Sequence, residues 1–134
     1  MANQIDIARM ARHDELRASI ERGPLAILEH PLLAAVQSLL RGILSYDGAL
    51  HELRNQALRS CSSVGANFSE GFARGYTNDA IRFLAIARGS AYETAFWIRT
   101  FGLTSLEPYA LAACEAVDSV LLELLARGKD DCQE

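Results

Sequence analysis

Apolar residues recur at steps of three and four along most of this chain, and nowhere do they alternate over a strand-length segment. That spacing is the period of an amphipathic helix. One stripe runs Leu50, Leu53, Ala57, Cys61, Val64, Phe68, Phe72; a second runs Ala80, Leu84, Ala87, Ala91, Ala95, Ile98, Phe101. A third runs Ala110, Ala113, Val117, Leu121, Leu124, and a shorter one before them holds Leu32, Leu33, Val36, Leu40, Ile43 and Leu44. The spacing therefore predicts four helices.

The punctuation between the stripes agrees. Tyr46-Asp47-Gly48 separates the first helix from the second. Gly75-Tyr76-Thr77-Asn78 separates the second from the third, with Thr77 or Asn78 placed to cap. Gly102 to Pro108 separates the third from the fourth, and Pro108 suits a first helical turn, where a missing N–H costs nothing. Pro31 either opens the first helix or kinks one that starts near Pro24; the length of the other helices favours a kinked helix over 24–45. Long helices joined by short connections pack antiparallel. The expected fold is all-α, an antiparallel up-down-up-down four-helix bundle over 24–128. An N-terminal helical extension over 1–23 precedes it, and a disordered acidic tail over 129–134 follows.

A chain of 134 residues suffices for one domain with its own core. Cysteines at 61, 114 and 132 fit neither a disulfide framework nor a zinc pattern. There is no secretory signal pattern and no run of 18 apolar residues, so the expected setting is cytoplasmic, with no membrane contact. The net charge is −4 but uneven. Residues 49–101 carry six arginines against four acids, whereas 102–134 carry seven acids against Arg127 and Lys129.

A bundle helix should be polar opposite its core stripe. The second helix instead shows Arg59, Ser63, Asn67, Glu70 and Arg74 on its far side, crowded by Ser60, Ser62, Gly65, Ala66 and Ser69. The third shows Arg82, Ile86, Gly89, Glu93 and Trp97, with Ser90 adjacent. Small residues in mid-helix permit close approach, and Gly89 costs about 1 kcal/mol of helix stability relative to alanine. Three readings fit: close packing within the bundle, a subunit interface with Trp97, Phe96 or Tyr92 as anchor, or a ligand or nucleic-acid groove.

Catalytic patterns are missing. No Glu-x-x-His, His-x-x-x-His or Cys-x-x-Cys occurs, and neither nucleotide-binding glycine loop is present. No metal, cofactor or catalytic residue is expected. Cys61 and Cys114 read as packing residues.

Two blocks carry a resemblance. They are the run from Arg59 to Arg74, with Ser63, Asn67, Glu70 and Gly71 at set positions, and Phe83-Leu84 followed by Ala87, Gly89, Ser90 and Glu93. Together they resemble the bacterial four-helix-bundle family named for proteins encoded in intervening sequences of 23S ribosomal RNA genes, whose pattern is close to R-x-x-x-S-I-x-x-N-I-A-E-G-x-x-R and then F-L-x-x-A-x-G-S-x-x-E. The resemblance covers roughly residues 50–103. It implies a left-handed four-helix bundle in a ring-shaped homo-oligomer of five subunits. A related branch, the accessory variability proteins of diversity-generating retroelements, pairs with a reverse transcriptase and presents a basic surface to nucleic acid.

The function so implied is a non-catalytic, self-assembling binding or scaffold protein, a homopentamer. The alternative is a nucleic-acid-binding accessory factor whose partners are RNA, single-stranded DNA or a reverse transcriptase. An enzyme ranks last. The residues expected to carry the interface or binding face are Arg59, Asn67, Glu70, Gly71, Arg74, Arg82, Arg88, Gly89, Ser90, Glu93 and Trp97.

Overall fold

A computed structural model describes residues 24–46 and 51–131. The expected N-terminal extension over 1–23 lies outside the described residues. Within them the chain is all-helical, with no strand. Five α-helices pack against one another: α1 (Pro24–Glu29), α2 (Pro31–Ser45), α3 (His51–Ala73), α4 (Asn78–Thr100) and α5 (Glu107–Asp131), with a 3-10 turn over Thr104–Leu106 before α5. The four longer helices contact in a closed cycle, α2 to α3 to α4 to α5 and back to α2.

Sequence chemistry sets the ends. Thr77 is extended (φ −114°, ψ 163°) and its hydroxyl accepts from the Ala80 amide at 3.2 Å, satisfying one of the free donors of the first turn of α4. Gly75 and Gly102 take the left-handed backbone (φ 67° and 68°) that closes α3 and α4, a conformation glycine adopts without a Cβ clash.

The first helix departs from the sequence expectation. The chain breaks at His30 into two helices and does not run as one kinked helix over 24–45. Pro31 pushes the residue before it out of the helical region, and His30 accordingly sits at φ −66°, ψ 137°. Its imidazole then caps α2: Nδ1 accepts from the Leu32 amide at 3.1 Å. The ring is half-buried and packs against Phe68 and Phe72, with centroids 4.9 and 6.2 Å away. The C-terminal end also departs. α5 runs through Gly128 to Asp131, beyond the expected stop at 128. A single glycine costs a helix only about 1 kcal/mol, and the Lys129-Asp130-Asp131 run contains no breaker.

His30 gives the fold a pH dependence. Burial holds its pKa below the ordinary 6.5. The unfolded chain therefore binds this proton more readily than the folded chain, so the stabilisation is present above pH 6.5 and is lost as pH falls from there through the lower folded value. Protonation at Nδ1 also removes the acceptor that caps α2. Melting temperature should fall below pH 6.5 in the wild type more steeply than in His30→Asn, which keeps a capping acceptor and cannot titrate. Equal slopes in a pH series of melting curves would exclude His30 as the cause.

The core is one cluster contributed by all four longer helices. Each residue read from the sequence at 57, 61, 64, 68 and 72 of α3, and at 110, 113, 117, 121 and 124 of α5, is buried. On α4, residues 80, 84, 87, 91 and 98 are buried, with Ala95 and Phe101 at the margin. On α2 the stripe is rotated from the expected one: Leu32, Ala35, Val36, Leu39 and Ile43 face inward, while Leu44 is 56% exposed. Among the described residues, no helix is long and apolar enough to cross a membrane.

Candidate functional site

The small-residue face of α3 meets that of α4, and the two form a polar seam. Ser63 Oγ and Ser90 Oγ share a hydrogen bond at 2.8 Å. Asn67 Nδ2 donates to the carbonyl and to the hydroxyl of Ser63, each at 2.9 Å. One turn away, the Thr94 and Ser60 hydroxyls are 3.0 Å apart; Ser60 donates to the Ala57 carbonyl and Thr94 to that of Ser90. Ser60 and Thr94 are the buried polar side chains of the described core. Every hydroxyl in the seam has a partner, as burial demands.

Close approach of the two backbones occurs at Gly71. A Cβ there would lie 2.8 Å from Leu84 Cγ and 3.0 Å from the Ala80 carbonyl oxygen, so α4 fills the space a side chain would need. The sequence argument placed close approach at Gly89. The structure places Gly89 on the outside, with nothing of the subunit within 4 Å of an added Cβ. The helical cost of Gly89 thus gains no compensation inside one chain.

The candidate residues therefore divide. Asn67 and Ser90 line the seam, and Gly71 is buried beneath it. Arg59, Glu70, Arg74, Arg82, Gly89 and Glu93 are exposed along its outer lip. Arg74 reaches Glu70 at 3.5 Å and Asp79 at 3.6 Å, and Arg82 approaches Asp79 at 3.9 Å. Both guanidinium groups lie over the ring of Phe83, 4.6 and 4.9 Å from its centre. Trp97 Nε1 donates to Glu93 at 3.2 Å while its indole packs on Phe96 and Phe101.

Arg88 stands apart. It turns toward α5, where Nε donates to Asp118 Oδ1 at 2.6 Å and the guanidinium lies 4.5 Å from the Tyr92 ring centre. Tyr92 donates to the other oxygen of Asp118 at 2.8 Å. The hydrogen bond to Asp118 raises the pKa of both partners, holding Arg88 charged and Tyr92 protonated. Sequence reasoning missed Asp118, because an ion pair between helices depends on their rotational phase. Its spacing on α5 carried no signal for this.

Residues 42–106 match the model of the 23S rRNA-intervening sequence protein family. The family match spans the end of α2, all of α3 and α4, and the turn that follows, so it contains the whole seam. Searches of curated proteins and of solved structures gave no match. Within the matched segment, Ser63 and Ser90 bond α3 to α4, Asn67 braces Ser63 from its own helix and Gly71 lies against α4, whereas Arg59, Glu70, Arg74, Arg88, Gly89 and Glu93 are exposed. Of the outward group, Glu70 pairs with Arg74 and Glu93 accepts from Trp97, whereas an added Cβ at Gly89 meets nothing of the subunit.

Cys61 and Cys114 are both buried free thiols. Burial pushes the Cys61 thiol up to about 12, far from the range where thiolate forms at neutral pH. Burial likewise raises Cys114. Among the described residues, no three His, Cys, Asp or Glu side chains gather where they would hold a metal ion.

Proposed function

We propose that this protein is a member of the 23S rRNA-intervening sequence family that acts by self-assembly and binding, without catalysis, as a homopentameric scaffold. The cyclic contacts of α2, α3, α4 and α5 and their short connections support an antiparallel up-down-up-down bundle for each subunit. The observation that carries the reading is the outer surface of α4 and α5. With the core already complete, Ile86, Tyr92, Phe96, Leu111, Leu122 and Leu125 remain 43–65% exposed. Scattered surface leucines are ordinary, but a set of this size on adjoining helices marks a contact surface. Light scattering coupled to size exclusion tests it: the expected mass at micromolar concentration is about five times the 14.7 kDa chain, and a 14.7 kDa species would end the proposal.

A second reading rests on the exposed guanidinium groups of Arg59, Arg74, Arg82, Arg88 and Arg99. Repeated around a ring, a modest patch per subunit becomes a strong field for phosphate. On this reading the protein is an accessory factor for RNA or single-stranded DNA. Binding to structured RNA should weaken steeply with salt, roughly tenfold or more between 50 and 200 mM. Failure to bind at the lower salt removes this reading and leaves the scaffold intact.

A further inference from the structure

The proposed self-assembly leaves open which faces meet, and the described surface carries two that fit one another. The first is the outer lip of the seam. Its centre is bare of bulky side chains: Ala66 and Gly89 stand exposed on α3 and α4, and nothing of the subunit lies within 4 Å of a Cβ at Gly89. Ile86 and Phe96 on the same helix are 45% and 59% exposed. Arg82 lies seven residues before Gly89 on the same helix, about 10.5 Å away at 1.5 Å per residue. Its side chain is 65% exposed and its contact with Asp79 is long, at 3.9 Å.

The second face is the outer ridge of α5, where Leu111, Glu115 and Leu122 are exposed. Glu115 lies seven residues before Leu122, the same interval and direction as Arg82 before Gly89. Neighbouring acids of α5 are occupied: Asp118 by Arg88 and Tyr92, Glu107 by Arg99 at 2.6 Å. Among the described residues Glu115 has no ion-pair partner. The helix as a whole carries six acids against Arg127 and Lys129, whereas α4 carries three arginines against two acids.

Charge decides how these faces pair. Two α5 ridges set against each other would oppose like charges, which disfavours a two-fold contact of this face with itself. A ridge set on the seam of another copy joins opposite charges, and such a heterologous contact, repeated with a rotation that closes, generates a ring. We infer that the α5 ridge of one copy docks on the α3–α4 seam of the next, with Leu122 seated over Gly89 and Glu115 paired with Arg82. The bulky side chain covers the surface that a glycine leaves bare. This occupancy supplies the compensation for Gly89 that a single subunit lacks.

The inference rests on the self-assembly reading, and the test separates the two. Oligomer mass and dissociation constant would be measured for the wild type, Gly89→Leu, Leu122→Asp, Arg82→Glu, Glu115→Arg and the double charge reversal Arg82→Glu/Glu115→Arg. Gly89→Leu is informative because an added Cβ meets nothing in its own subunit, so the helical fold by circular dichroism should be retained. Gly89→Leu and Leu122→Asp should shift the protein to monomer. Each charge reversal should weaken assembly at least about tenfold, and the double reversal should recover most of that loss. A wild-type oligomer whose size all these variants retain would overturn the assignment of faces while leaving self-assembly standing. Singles that weaken assembly without recovery in the double would overturn the Arg82–Glu115 pairing. A monomeric wild type would overturn both readings.

Discussion

Replacing Gly71 with leucine should unfold much of this protein at temperatures where the wild type is intact. The buried glycine faces the backbone of α4, with the Ala80 carbonyl oxygen 3.0 Å from the position of an added Cβ and Leu84 Cγ at 2.8 Å. A flexible side chain can yield, but a carbonyl fixed in the first turn of α4 cannot move without displacing that helix. Even Gly71→Ala should cost about 1–3 kcal/mol, the range for overpacking a fitted core. Alanine's better helix propensity returns at most about 1 kcal/mol of it. Gly71→Leu adds a branched side chain where no room exists, and should cost more than alanine does. For a chain of this size, each kcal/mol lowers the melting temperature by roughly 3–5 °C. Thermal unfolding followed by circular dichroism measures the effect. A Gly71→Leu variant that melts with the wild type would show that α3 and α4 do not approach as described.

Truncating Phe68 should have an effect of similar size through the opposite mechanism. Its side chain is 2% exposed, stacks on Phe72 at 5.8 Å and lies 4.9 Å from the His30 ring. Phe68→Ala removes most of a ring from close-packed surroundings and leaves a cavity that the helices cannot fully close, at about 3–5 kcal/mol. It also deprives His30 of the surface that holds it near the α2 N-terminus. The pH dependence assigned to His30 should therefore flatten in Phe68→Ala, because a more exposed imidazole titrates closer to 6.5. Denaturant unfolding at neutral and mildly acidic pH reads both consequences. A loss below about 1 kcal/mol would contradict the tight packing described here.

The long helices were legible because period and punctuation agreed. Thr77 at the start of α4, Gly75 and Gly102 after α3 and α4, and the stripes of α3 and α5 each follow from a local rule that neighbouring packing did not override. The break at His30 was not legible, because proline at a helix interior and proline at a first turn leave the same trace in one sequence. The imidazole that then caps α2 favours the break as well, and a histidine in that role has no strong propensity signal. The stripe on α2 was misjudged in rotation for a related reason: Leu44 and Leu39 are equally apolar, and which one faces inward depends on where α3 and α5 lie.

Within the candidate site, residue types were readable and their assignments to inner or outer positions were not. Among the serines, Ser60, Ser63 and Ser90 meet partners across α3 and α4, whereas Gly89 stays outside. Whether Gly71 or Gly89 marked the contact between α3 and α4 turned on how each helix is rotated about its axis. Arg88 and Asp118, thirty residues apart, offered no local pattern at all.

The hydroxyl pairs between Ser60 and Thr94 and between Ser63 and Ser90 carry a consequence for alignment. Aliphatic surfaces slide past one another with little change in energy, since one methyl contact replaces another. Directional donors and acceptors do not: displacing α4 by one helical turn, about 5.4 Å, would part Ser63 from Ser90 and Ser60 from Thr94 and leave each with its intrahelical partner alone. The two helices are thereby indexed to a single axial offset. Any neighbour reading both at once would meet residues 59–74 and 82–97 in a fixed vernier.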